Sequence, residues 1–251
     1  QLIHTGRAEL AEALARLLPS FNFGTNQAGV NSVVRPVSNR GLGPAYTLVL
    51  VNGKRRHNSA LLTNGGGDTS GVNAIDLDTI PLSAIDHIEV LKDSAAAQYG
   101  SDAVAGVVNV ILKTGNHGGQ ISAGYGELKN GNGDLSNKKL EGDVGFALGD
   151  DGFVHIAAAL RKRGQSWDNF PSTNLVAYSP ASNPKNATWN RDGAHNGDPG
   201  IEAYDLAFNA EKPFNKDVTL YAFGTAGTRN TVAGNNFRRP NGLATRSEER
   251  V

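Results

Sequence analysis

Apolar and polar positions follow two different periods along this chain. Near its start Leu10, Leu14, Leu17 and Leu18 recur at helical spacing within residues 8–18, which predicts an amphipathic helix stopped by Pro19. Its apolar stripe requires a core to cover it. Residues 46–51 are rich in β formers and close on Asn52-Gly53, the favoured pair for a two-residue hairpin turn, so a return strand is expected from Lys54. Pro81 at a first helical position predicts a short helix through Ile85, and Ile88 and Val90 mark a strand ending near Lys92. An alanine-rich turn at 94–99 ends at Gly100, and 107–112 reads as a buried strand. With long polar stretches at 22–39 and 57–73 between these elements, residues 1–114 are expected to form a small α+β domain.

Residues 115–251 show period two instead. Leu140, Gly142, Val144, Phe146 and Leu148 fall on one face and Glu141, Asp143, Gly145 and Ala147 on the other. Val154, Ile156, Ala158 and Leu160 oppose His155, Arg161 and Arg163, and Tyr204, Leu206 and Phe208 alternate with Asp205 and Asn209. The stretch 218–228 is a further strand whose faces the pattern leaves open. Together with 120–128 this makes five strands of about ten residues, as tilted membrane strands are. Short turns at 149–152 and 212–216 alternate with long polar connections at 129–138 and 165–200, the pattern of an outer-membrane barrel. A soluble sandwich alternates faces equally well. Membrane barrels close with about eight strands or more, and an open edge in lipid strands backbone groups, so a membranous reading requires a longer parent. The end at Glu248-Glu249-Arg250-Val251, with no terminal aromatic strand, agrees with that expectation.

Composition narrows the classes. The 24 Lys+Arg balance 24 Asp+Glu, which leaves no bulk field for nucleic acid. The absence of Cys removes disulfide scaffolds, thiolate metal sites and thiol nucleophiles. The 31 Gly and 25 Asn make the chain rich in turns, which favours β structure. No apolar run is long enough for a membrane helix. The sequence opens at Gln1 with no initiator Met and no basic-then-apolar leader, as expected of a processed chain or an excerpt.

Motifs of catalysis are missing. There is no G-x-S-x-G, H-E-x-x-H or G-x-x-x-x-G-K-[ST], and Gly41-Leu42-Gly43 and Gly124-Tyr125-Gly126 lack the third glycine of a dinucleotide loop. The six His make no ligand spacing, so no catalytic residue, metal or cofactor is expected. His57 near Asp68 reads by default as two polar loop residues. Asn64-Gly65-Gly66-Gly67-Asp68, with Asp76 and Asp78 following, has the composition of a calcium loop without its spacing or closing Glu. Lys54-Arg55-Arg56-His57 reads as a solvated strand before an anion patch. Trp167, Tyr178 and Trp189 read as packing their loop on itself, and Asn186-Ala187-Thr188 is a formal glycosylation sequon.

One ordered run says more. Arg40-Gly41-Leu42-Gly43-Pro44, Thr47-Leu48-Val49-Leu50-Val51-Asn52-Gly53-Lys54-Arg55, Ile80-Pro81, Ile85, Ile88-Glu89-Val90-Leu91-Lys92-Asp93 and Tyr99-Gly100-Ser101-Asp102-Ala103-Val104-Ala105-Gly106-Val107-Val108-Asn109-Val110 closely resemble the plug domain of TonB-dependent outer-membrane receptors. The resemblance spans roughly residues 8–114, and barrel-like strands follow where that family has them. It implies an α+β plug domain followed by antiparallel transmembrane β-barrel strands, here an incomplete barrel whose parent has about 22.

The resemblance further implies active uptake of a scarce nutrient, with a ferric siderophore or similar iron complex first among the cargoes and cobalamin, haem, peptides and oligosaccharides behind. Such receptors lie in the Gram-negative outer membrane, in contact with its lipid, with the plug reached from the periplasm by the energy-coupling protein TonB. Apical loops carried over by position are 25–32, 42–45 and 57–71, making Asn26, Gln27, Asn58, Asn64 and Asp68 the expected ligand contacts. Arg40, Gly53, Gly100 and Gly106 are structural, the glycines serving a turn, a helix end and a close approach. Glu89, Lys92, Asp93 and Asp102 hold the plug to itself and to the barrel wall, since buried charges need partners. Three features depart from the family: no coupling box is recognisable, the plug's usual first strand is missing, and only the beginning of a barrel follows. The chain is therefore expected to be part of a longer receptor. Two other classes stand beside this one, a soluble β-rich glycan-binding module and a hydrolase resting on scattered His and Asp.

Overall fold

The computed structural model describes residues 9–23, 34, 36–62, 71–92, 95–129, 131–169, 178, 181–189 and 195–234. Helix α1 (Leu10–Leu17) buries Leu10, Ala11, Ala13 and Leu14 and stops ahead of Pro19, whose ring cannot continue it. The pair β1 (Phe21–Phe23) and β2 (Val37–Asn39) runs antiparallel beside it. Strands β3 (Thr47–Val51) and β4 (Lys54–Arg55) form the expected hairpin, with φ of 48° at Asn52 and 75° at Gly53 as a mirror-image turn demands. The chain continues through β5 (Ile85–Leu91), helix α2 (Ala95–Tyr99) and β6 (Gly106–Leu112). Strand order is β4-β3-β6-β5, with β3 and β6 parallel. That position explains why every residue of β3 is buried: a central strand covered on both faces reads as an apolar run, here Leu48 to Val51 after Thr47.

Pro81 departs from expectation. It precedes a single 3₁₀ turn, Leu82–Ala84, and Ile85 already belongs to β5. Pairing of Ile85 with Leu112 captures the backbone for the sheet, so the helix ends after one turn.

The remaining strands are β7 (Gly119–Glu127), β8 (Asn132–Gly133), β9 (Ser136–Leu148), β10 (Gly152–Arg163), β11 (Ser166–Asn169), β12 (His195–Asn196), β13 (Gly200–Pro213) and β14 (Thr219–Val232). Five of them form an antiparallel meander, β14-β13-β10-β9-β7, which stays open. Its members run from 9 residues in β7 to 14 in β13 and β14, longer than the pattern suggested, because polar ends such as Asn137 and Arg163 pair with each other. Strands β8, β11 and β12 make a small separate sheet inside the long connections, at 129–138 and 165–200, that composition had marked as loop.

The faces of the meander are inverted relative to a soluble sheet. Phe146 is 52% and Leu220 62% exposed, whereas Arg161 is 8% and Asp205 6% exposed. Leu140 to Leu148 on the outer face covers about 26 Å of strand at roughly 3.3 Å per residue, at the short end of what a tilted strand of about 9–11 residues needs to cross a bilayer core. The α+β unit sits on the polar inner face. Ala157 and Ala207 of the meander join its core, with Leu10, Leu14, Phe21, Val49, Ile80 and Val108, and Phe223 packs against the same cluster. Small residues there let the two layers approach.

Candidate functional site

The contact between the α+β unit and the sheet is dense in buried ion pairs. Glu9, the residue before α1, meets Arg163 at 3.2 Å and Arg161 at 3.9 Å, and Glu12 one turn along meets Arg163 at 3.4 Å. Arg161 Nη2 donates to Asp205 Oδ2 at 2.5 Å and to the carbonyl of Asp78 at 2.6 Å. Arg229 of β14 pairs with Asp76 at 3.0 Å, which resolves the faces of that strand. Asp76 and Asp78 flank Leu77 at a 3₁₀ turn, Leu77–Thr79, where the Asp76 carboxylate caps the Asp78 N–H at 3.0 Å. Asp78 Oδ1 accepts the Ala11 N–H at 3.0 Å, satisfying one of the open donors at the start of α1. Burial, with Glu9 and Asp76 adding repulsion, pushes the Asp78 carboxyl up to about 7 against the pull of Arg229 and Arg161.

A second polar clamp lies nearer the short turns. Lys113 pairs with Asp143 at 2.8 Å, and His155 contacts Asp143 through Nε2 and the Gly115 carbonyl through Nδ1, each at 2.9 Å. Asn52 at the hairpin turn donates to Asn209 Oδ1 at 3.1 Å and accepts the Leu112 N–H at 2.9 Å. Asn209 Nδ2 returns to the Lys113 carbonyl at 3.1 Å. The link from β6 into the meander is thus tied to the wall on both sides.

The residues singled out from sequence fall elsewhere. Arg40 donates to the Lys92 carbonyl, and Arg55 to Asp102 and the Tyr99 carbonyl. The Arg55 hydrogen bond holds the Asp102 carboxyl below its ordinary value. Glu89 accepts from Asn109 at 2.8 Å. These contacts of Glu89, Lys92 and Asp102 are internal to the α+β unit. Gly100 and Gly106 take φ of 98° and 128°, and a Cβ on Gly106 would lie 2.6 Å from the Leu91 carbonyl oxygen. Asn58 is exposed and lines an open groove of about 320 Å³ with Arg55, Arg56, Asn73 and Asp102. Arg56 reaches Thr79 at 3.0 Å, and burial lowers its pKa. Asn26, Gln27, Asn64, Asp68 and Asp93 lie outside the described residues.

In the long connection, Asn186 bonds the Tyr178 backbone in both directions, at 2.7 and 2.9 Å. Its amide is engaged at the sequon. Asp76 and Asp78, weighed above as parts of a calcium loop, are committed to Arg229 and Ala11.

Sequence reasoning passed over Glu9 and Arg229, named Asp76 and Asp78 only beside a calcium-like loop, and named Arg161 and Arg163 only as one face of a strand. The available signal was that face itself: charges alternating with an apolar outer row belong to a lumen and require counter-charges from whatever fills it.

Residues 1–107 match the family model described as TonB-dependent Receptor Plug Domain. The ferric enterobactin receptor PirA of Pseudomonas aeruginosa is 29% identical over 237 residues, covering 89% of this chain and 30% of that receptor. The probable TonB-dependent siderophore receptor PirA of Acinetobacter baumannii is 42% identical over 102 residues, 39% of this chain and 13% of the relative. Among solved structures, a variant of the ferric enterobactin receptor PfeA of Pseudomonas aeruginosa, in complex with enterobactin, superposes with a TM-score of 0.65 at 20% identity. That match covers 89% of this chain and 31% of the receptor, so the chain spans under a third of its length.

Proposed function

We propose, for a chain that is the plug and opening barrel strands of a TonB-dependent receptor, that the whole receptor takes up a ferric siderophore across the outer membrane. Similarity to ferric enterobactin receptors over nearly the whole chain carries this reading. The inverted sheet supports it, since an apolar outer face and a charged inner face suit lipid on one side and a plug on the other. In this reading the domains are the plug at 1–114 and the barrel strands at 115–251. The long connections face the cell exterior and the short turns the periplasm, from which TonB draws on the plug.

Cargo binds non-covalently between the plug's apical loops and the long barrel loops. Asn26, Gln27, Asn58, Asn64 and Asp68 contribute polar contacts, and the groove beside Asn58 offers Arg55 and Arg56 to an anionic chelate. The relatives are receptors and transporters, and this chain's work is likewise binding and passage without bond making.

The test is uptake of radioiron-labelled ferric enterobactin under iron limitation by a strain deleted for the parent gene. Loss of uptake, restored by the gene only where TonB is intact, is the expected result. Undiminished uptake in the deletion strain overturns it.

A further inference from the structure

At one step of the sheet both faces carry opposed like charges, and among the described residues the inner face alone closes them into ion pairs. Inside, Lys139 of β9 stands opposite Arg161 of β10. Glu141 at 2.7 Å from Lys139 and Asp205 at 2.5 Å from Arg161 balance them. Outside, Lys138 stands opposite Lys162. Among the described residues neither outer ammonium has a carboxylate within the 4.0 Å of an ion pair. Asp134 feels both lysines only through its field, and Glu202, the other cross-strand neighbour of Lys162, accepts the Tyr204 hydroxyl at 3.0 Å. Like charges directly opposite on one face repel, with Cβ atoms about 5 Å apart. An anion from outside the chain would relieve this.

The surroundings say which anion. Lys138, Lys162, Leu140, Leu160 and Tyr204 line a shallow outer groove of about 260 Å³, with Glu202 on its far edge beyond Lys162 and engaged by Tyr204. Tyr125 flanks Lys138 on its far side. Below this row the outer face runs through Val144, Phe146, Ile156, Leu206 and Phe208 and meets no charge before Lys212. The lysines therefore stand at the rim of the apolar band with aromatic rings beside them, at the depth where headgroups lie.

We propose that Lys138 and Lys162 together bind the phosphate of an anionic lipid headgroup in the leaflet on the long-loop side, with an acyl chain along Leu140, Leu160 and Tyr204. The site rests on the barrel reading given above. Two ammonium groups on flexible stems converge on one phosphate, and the stems cover apolar surface below it. Each basic residue adds roughly fivefold to affinity for an anionic surface.

Native mass spectrometry of the full-length receptor in neutral detergent tests this, with dioleoyl phosphatidic acid as the probe and dioleoyl phosphatidylcholine as the zwitterionic control. Wild type should retain the phosphatidic acid, Lys138→Gln/Lys162→Gln should retain it about tenfold less or worse, and Lys138→Arg/Lys162→Arg should keep it. Equal retention of both lipids, or an unaffected Gln double variant, overturns the site. Displacement of phosphatidic acid by equimolar inorganic phosphate overturns the lipid in favour of a free anion. Retention of neither lipid, by a receptor absent from outer membranes, overturns the barrel reading and the site with it.

Discussion

Arg161 holds Asp205 at 2.5 Å while the same nitrogen reaches the Asp78 carbonyl at 2.6 Å, so one guanidinium ties barrel wall to plug. Arg161→Ala leaves the buried carboxylates of Asp205 and Glu9 short of a partner, a loss of about 3–5 kcal/mol. Arg161→Ala/Asp205→Ala should cost less than the sum of the two single changes. Urea unfolding of the plug in the full-length receptor measures the coupling, and strict additivity would refute it.

The raised carboxyl of Asp78 makes the seam sensitive to pH. Because the folded value, about 7, lies above the ordinary 3.8, protonated Asp78 stabilises the folded state fully below about pH 4, and this contribution is lost as pH rises to 7. Asn in its place keeps the acceptor for Ala11 N–H and cannot ionise. The stability difference between wild type and Asp78→Asn should therefore fall by up to about 4 kcal/mol from pH 4 to pH 7 and stay flat above. Thermal unfolding across that range tests it, and a difference that grows with pH would show that the sign is wrong.

What the sequence disclosed, it disclosed through local chemistry. Asn52-Gly53 dictates its own turn, and Glu141 alternating with Leu140 announces two faces whatever lies beyond them. Which face is inside is not local, because it depends on the solvent of each side. The Glu9 pairing with Arg163 spans most of the chain, and no period in either segment encodes it. Strands β8, β11 and β12 escaped for a different reason: their few polar residues gain order only by pairing with one another.

Two glycines of the plug should respond very differently to Ala. Gly106 at φ 128° would place its Cβ against the Leu91 carbonyl oxygen, whereas Gly53 at φ 75° has no atom within 4 Å of that position. Gly53→Ala costs about 1 kcal/mol of left-handed strain. Gly106→Ala adds a backbone clash between β5 and β6 and should exceed about 3 kcal/mol. Proteolytic release of the plug ranks them, and equal sensitivity would rule out the close approach.

Asn58 is the one described member of the expected ligand set, exposed beside Arg55 and Arg56. Asn58→Ala should weaken ferric siderophore binding about tenfold, the worth of one hydrogen bond of roughly 1.4 kcal/mol, and leave the unfolding midpoint unchanged. Unchanged affinity in a binding titration would remove Asn58 from the site.

Leu206 decides what the outer face touches. It is 46% exposed, midway along β13, and its neighbours across the sheet are Ala158 and Ala226. If water covered this face, Leu206→Arg would shift stability by no more than about 0.5 kcal/mol, as surface changes do. In a bilayer midplane the same guanidinium costs about 2–4 kcal/mol. Unfolding of the full-length receptor from lipid vesicles separates the two, and a cost near zero would return the strands to a soluble sheet.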